Sequence, residues 1–234
     1  MTLALVSTVQ TATGTPVNHS AITGIATGDL YLEFAHNMGG GTAPVLDTTS
    51  TFTTLATGTD GAGRNYTYGY RVRTGTEGTL STTSASTALA DIFLGITGVD
   101  STTQIESFQS TNGSFSATQT VPASTPTTDN CWHVIAFADS NDGTNTISTP
   151  PAGYTLLGNI TASGQGSIYA YYKALGAGSS GVSTGTPSAV WTGSMLGLAS
   201  GFIVRPSAGG GGPTFPAASS KRFNNQRHSF GLRS

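Results

Sequence analysis

Ile168-Tyr-Ala-Tyr-Tyr-Lys-Ala174 alternates its side chains as a strand must, because successive residues of a strand point to opposite faces. Tyr66-Thr-Tyr-Gly-Tyr-Arg-Val72 carries the same alternation 102 residues earlier, with Tyr70-Arg71 standing where Tyr172-Lys173 stands. The echo extends outward from both stretches. Phe52-Thr-Thr-Leu55 corresponds to Tyr154-Thr-Leu-Leu157, again 102 apart. Leu30-Tyr-Leu-Glu-Phe-Ala35 corresponds to His133-Val-Ile-Ala-Phe-Ala138 at 103, and Leu89–Ile96 to Leu196–Ile203 at 107. Four pieces in one order at nearly constant spacing predict two pseudo-repeated halves, about residues 22–100 and 125–206. Two copies are too few for a solenoid, which needs three or more to bury a continuous core.

The 234 residues suffice for one large β domain. Ser and Thr together exceed a quarter of the chain, Gly is abundant, and only 9% of residues are charged. Thr and the aromatics favour strands, while Gly, Asn, Asp and Ser favour the turns between them. No window holds apolar residues at helical spacing for three turns, so little helix is expected. The fold class read from this pattern is all-β: an antiparallel, jelly-roll-like β-sandwich over residues 1–208, built from the two halves. The expected strands include Thr2–Val9, Ile22–Ile25, Leu30–His36, Thr51–Ala56, Arg64–Arg73, Thr79–Ala85 and Leu89–Thr97. The second half adds Ser114–Val121, Asn130–Ala138, Thr155–Ile160, Ser167–Ala174, Ser188–Trp191 and Leu196–Arg205. Trp132 and Trp191 are expected to plug the core.

Gly209-Gly-Gly-Gly212 reads as a hinge, since a run of glycines packs only at high entropic cost. With the segment beyond it, this hinge makes residues 209–234 a Gly-hinged basic C-terminal arm. Residues 1–208 hold five basic residues and all eleven acids, a net charge of −6. Residues 209–234 hold Lys221, Arg222, Arg227 and Arg233 and no acid, a net charge of +4. Phe215, Phe223, Phe230 and Leu232 are interleaved with those cations, so the arm reads as a segment that folds onto a partner. Four charges could also meet nucleic acid, but the phenylalanines fit an acidic or grooved protein surface better.

Constellations that carry chemistry are sparse. Cys131 is the single cysteine, so no intrachain disulfide and no cysteine-based metal site can form. His19, His36, His133 and His228 have no useful local spacing for zinc, and no metal or cofactor is expected. Asp139-Ser-Asn-Asp-Gly-Thr-Asn145 is rich in oxygen ligands, yet its glycine comes too early for a calcium loop, and an Asx-rich turn explains it. Glu33 and Asp91 are the acids inside apolar strands, and a solvent-facing side of a sheet would account for both. No nucleophile elbow and no phosphate-binding glycine loop occurs, so no catalytic residue is assigned. Tyr66, Tyr68, Tyr169 and Tyr171 could stack on sugar rings if exposed. The N-terminus lacks the basic, apolar pattern of a signal peptide, and no run approaches a membrane span, so no membrane partner is expected.

Gly28-Asp-Leu-Tyr-Leu-Glu-Phe34, Thr149-Pro-Pro-Ala-Gly-Tyr-Thr-Leu-Leu157, Tyr169-Ala-Tyr-Tyr-Lys173 and Gly201-Phe-Ile-Val-Arg-Pro206 follow one another in a set order. That order resembles a group of β-sandwich virion proteins of tailed bacteriophages, over about residues 22–206. The first half departs from it, with Pro44-Val-Leu-Asp in place of the Pro-Ala-Gly loop, and the arm has no counterpart. The resemblance implies a non-enzymatic structural protein located in the virion and assembled in the host cytoplasm. Its expected partners are other virion proteins, of capsid or tail, with the arm gripping the particle as in capsid decoration. The alternative is a receptor-binding or tail-fibre-tip module that recognises host surface glycans. A sandwich edge could also pair between subunits, which allows a homo-oligomer.

Overall fold

The computed structural model describes residues 2–12, 16–19, 22–39, 41–47, 52–60, 63–75, 79–84, 89–112, 115–139, 145–162 and 166–208. These residues form strands and no helix. The first half supplies β1 (Ala4–Ala12), β2 (Val17–His19), β3 (Leu30–Asn37), β4 (Thr53–Thr59), β5 (Asn65–Val72), β6 (Leu80–Thr82) and β7 (Leu89–Thr97). The second supplies β8 (Ile105–Asn112), β9 (Ser116–Thr120), β10 (Trp132–Asp139), β11 (Ile147–Thr149), β12 (Thr155–Ala162), β13 (Gly166–Ala174), β14 (Ser188–Met195) and β15 (Gly197–Val204). All described pairings are antiparallel.

Two five-stranded sheets, ordered β1-β7-β3-β5-β4 and β8-β15-β10-β13-β12, lie face to face. Between them Leu30, Leu32, Phe34, Tyr68, Ile92 and Leu94 of one sheet meet Trp132, Val134, Ile168, Phe202 and Val204 of the other in a single apolar cluster. Phe34 stacks on Phe202 across the interface, with ring centroids 5.6 Å apart. At one edge the Thr8 hydroxyl of β1 donates to the Leu157 carbonyl of β12. The outer face of the first sheet is covered by the β2–β6 pair, over Ile22, Ile25, Tyr31, Leu80 and Phe93. The outer face of the second is covered by β11-β14-β9, over Val121, Ile135, Phe137, Tyr169, Tyr171 and Trp191. The molecule is therefore a β-sandwich of four layers, with the two large sheets inside.

This layering explains the sequence pattern. β3, β7, β10 and β15 lie between covered faces, and nearly every one of their residues is buried. They therefore read as nearly continuous apolar runs rather than as alternating ones. Edge strand β8 is polar outside Ile105 and Phe108, so apolar periodicity did not announce it. The expected short strand Ile22–Ile25 is instead a turn whose two isoleucines are buried in the outer cluster. Both tryptophans are core residues. Cys131 is buried, and burial pushes its thiol up, which suits an inert packing group.

Register refines the internal correspondence. Leu32 pairs with Tyr70, and Val134 pairs with Tyr172, so the spacing between the sheets is 102 in β3/β10 as well as in β5/β13. Leu32 also pairs with Leu94, and Val134 with Phe202, which sets 108 for β7/β15. The offsets of 103 and 107 expected for these strands are each wrong by one residue. A one-residue slip exchanges faces. Phe34 points into the inner core beside Ala136, whereas Phe137, its expected counterpart, points to the outer one.

Candidate functional site

Glu33 and Asp91 are not on a solvent-facing side. Glu33 pairs with Phe93 and Ala35 with Asp91 across β3 and β7, so the two acids are diagonal neighbours on the outer face of the first sheet. The β2–β6 pair closes over that face. β2 brings in His19, held opposite Leu80, and β6 brings in Thr82. All four side chains are completely buried. His19 Nε2 faces Asp91 Oδ2 at 2.9 Å and Glu33 Oε1 at 3.8 Å. The Thr82 hydroxyl donates to Glu33 Oε1. Phe93 lies flat against the His19 ring, centroids 4.7 Å apart, and fixes its plane.

Electrostatics at this cluster are governed by burial. It pushes the Glu33 carboxyl well above the usual range, with the adjacent Asp91 adding to the effect. It pushes Asp91 up to about 7 and pulls the His19 imidazole down. Glu33 Oε2, Asp91 Oδ1 and His19 Nδ1 are buried without a hydrogen-bond partner. One ligand atom from each of the three side chains falls within a 4.8 Å set, so these residues could hold a metal ion. Sequence reading missed them as a group because 14 residues separate His19 from Glu33 and 58 separate Glu33 from Asp91.

A second place of interest is an open groove of about 390 Å³. The turn Pro151-Ala-Gly-Tyr154 walls one side, closed by the Tyr154 amide donating to the Pro151 carbonyl. Gly153 sits at φ 77°, which this turn geometry demands of its third residue. Lys173 of the Tyr-Tyr-Lys stretch stands over the Tyr154 ring at 5.8 Å. The Tyr154 hydroxyl and His133 Nδ1 are 2.6 Å apart. Two of the quoted sequence motifs thus meet here, with Tyr154 and Lys173 both lining the groove.

The four tyrosines expected to stack on sugars do not present a ring to solvent. Tyr66, Tyr68, Tyr169 and Tyr171 are 6%, 0%, 8% and 4% exposed. Both faces of each inner sheet are covered, so alternation along the strand sends every tyrosine into one core or the other. The Tyr68 hydroxyl has no hydrogen-bond partner, and burial raises its pKa. Removing an unsatisfied buried hydroxyl relieves a desolvation cost, so Tyr68→Phe is expected to leave stability unchanged or raise it by about 1 kcal/mol. Urea denaturation measures this, and a loss beyond about 1 kcal/mol would show that the hydroxyl is satisfied in solution.

His36 and Asp60 form a separate buried pair, Nε2 to Oδ2 3.1 Å, with one carboxylate and the Tyr66 ring at its edge. The arm residues Phe215, Lys221, Arg222, Phe223, Arg227, Phe230, Leu232 and Arg233 lie outside the described residues, as do residues 140–144 of the Asx-rich loop.

No family model, curated protein or solved structure matches the chain.

Proposed function

We propose that the chain is a non-enzymatic structural protein of a tailed-phage particle, most simply a capsid decoration protein, with residues 209–234 as its docking segment. The observation that carries this reading is the partition of charge and apolar anchors at Gly209. The described body buries its own large apolar side chains, leaving only Leu5, Val45, Phe115, Leu156 and Val182 exposed among them. Glu33, Asp47, Asp60, Asp91, Asp100 and Asp139 are also buried, so its surface is less acidic than its composition. Four cations and four apolar anchors after Gly209 therefore find little complementary charge on the body, which favours another protein as their target. The order of motifs resembling phage sandwich proteins supports the same reading. We further read the two halves as related units, each wrapping strands between an inner and an outer sheet in jelly-roll fashion. The matching sheet orders support that relation.

The test is co-sedimentation of the full chain, and of a chain ending at Ala208, with separated capsids and tails of the phage that encodes it. Only the full chain is expected to sediment, and with capsids. If both forms bind equally, the sandwich makes the interface and the docking role of the arm is wrong. If neither binds either particle, the virion reading fails.

A further inference from the structure

We infer that His19, Glu33 and Asp91 form a closed structural site for a divalent first-row transition metal ion such as zinc. The donor set is one imidazole nitrogen and two carboxylate oxygens, with the Thr82 hydroxyl beside them. Imidazole with carboxylate suits zinc and its neighbours, whereas calcium prefers six to eight oxygens. Ligands about 2.0–2.2 Å from a tetrahedral zinc stand roughly 3.3–3.6 Å apart. The His19–Asp91 and His19–Glu33 separations of 2.9 and 3.8 Å bracket that value, and all three donor atoms lie within 4.8 Å of one another.

Three further observations point to a ligand. First, Glu33 Oε2 and Asp91 Oδ1 are fully buried and no backbone or neutral side-chain donor reaches them, and buried polar atoms are rarely left so. Second, a neutral imidazole with two ionised carboxylates carries two negative charges in a dry layer, which one divalent cation cancels. A proton shared between Glu33 and Asp91 is the competing way to offset that charge, and metal analysis distinguishes the two. Third, the fold does not require polar residues here. By register, Ile135 occupies the place of Glu33 in the second half, and Ala199 that of Asp91. There Ile135 and Ala199 lie in an apolar layer with Val121, Phe137, Tyr169 and Trp191, and the buried His133 on the same strand face is paired with the Tyr154 hydroxyl and not with two acids. The cluster is a departure from a core that works without it. Its closure under β2 and β6 leaves no open coordination position for substrate, which marks a structural rather than a catalytic ion. The ion would enter as that layer closes, so binding and folding are coupled.

The test uses the full chain, unfolded in chelator and refolded with either zinc or cobalt(II). Elemental analysis after desalting is expected to find close to one metal per chain, and the cobalt form is expected to show the visible bands of a low-symmetry nitrogen–oxygen site. The double variant Glu33→Ile with Asp91→Ala, which imports the residues of the second half, is expected to lose both signals. Its fold is checked by the fluorescence of Trp132 and Trp191, which lie in the other half. Metal below about a tenth of an equivalent in wild type, or equal loading in the folded variant, overturns the proposal. If the variant does not fold, the wild-type cobalt spectrum decides: the spectrum of the hydrated ion would refute the site.

Discussion

Phe202→Ala is expected to destabilise the protein by about 3–5 kcal/mol, read as a fall in the urea midpoint at unchanged slope. Phe202 is fully buried and stacks on Phe34 of the facing sheet. Truncation removes the transfer free energy of the ring and leaves a cavity that β3 and β15, both paired on each side, cannot collapse into. Phe34→Ala should cost a similar amount. Because the two rings share one contact, the double variant should lose less than the sum, by about 0.5–1.5 kcal/mol. The location also predicts cooperativity. One apolar cluster joins the large sheets of the two halves, so neither sheet keeps a covered inner face if the other unfolds. Wild type and variant should therefore each unfold in a single transition. Two transitions, with Phe202→Ala shifting only one, would mean that the halves are independent and that the shared core contributes little.

That shared core was legible in the sequence only in part. Alternation in Tyr66–Val72 and Ile168–Ala174 reported β5 and β13 because each of these strands carries its pattern in rings and small residues that can be counted. The 102-residue spacing they set is the spacing found in the ladders. Matching Phe34 to Phe137 failed for a physical reason. In a strand buried on both faces, apolar residues of either parity fit, so aromatic identity no longer reports which face a residue takes. Short strands were missed where pairing, not composition, creates them. Val17–His19 is three residues long and exists by bonding to Leu80–Thr82. Ile147–Thr149 is likewise three residues long and exists by bonding to β14.

The His19 cluster carried one readable signal. Tyr31 and Ala35 lie on the same side of β3 as Glu33, and Leu30, Leu32 and Phe34 on the other. A strand with apolar residues at both parities has no face to offer water, so an acid inside it must be buried and must find a partner. The partner itself could not be read from local spacing. His19 reaches Asp91 through a β2–β6 ladder that forms over strands far apart in the chain. Burial of Tyr169 and Tyr171 had the same hidden cause. A third sheet, β11-β14-β9, covers a face that a two-sheet sandwich would leave open.

Acid should weaken the fold through His133. Burial, reinforced by the nearby Lys173 charge, holds its imidazole down at about 4, against an unfolded value of about 6.5. Between those values the unfolded chain binds a proton that the folded chain refuses, so the stability contributed by this residue falls as pH falls from about 6.5 towards 4. The full difference corresponds to about 3 kcal/mol. The surroundings of the ring explain the refusal. Nδ1 is engaged with the Tyr154 hydroxyl, whose own pKa burial pushes up to about 12. Nε2 is buried without a partner, and Gly201 on β15 packs so closely that a methyl group in its place would lie 2.8 Å from that nitrogen. A second proton would therefore sit on an atom with neither water nor carboxylate to receive it. Other buried groups titrate in the same range, and raised carboxyls such as Asp91 act in the opposite sense, favouring the fold at lower pH. The measurement is accordingly a difference: urea midpoints of wild type and His133→Gln from pH 7.5 to 4.5. Glutamine can either donate to or accept from the Tyr154 hydroxyl but does not titrate. Wild type should lose about 2–3 kcal/mol relative to the variant across that range, because most of the proton uptake by the unfolded histidine falls within it. Parallel curves for the two proteins would mean that the ring has gained a proton acceptor in the folded state, and the close packing of β10 against Gly201 would then have to open in solution.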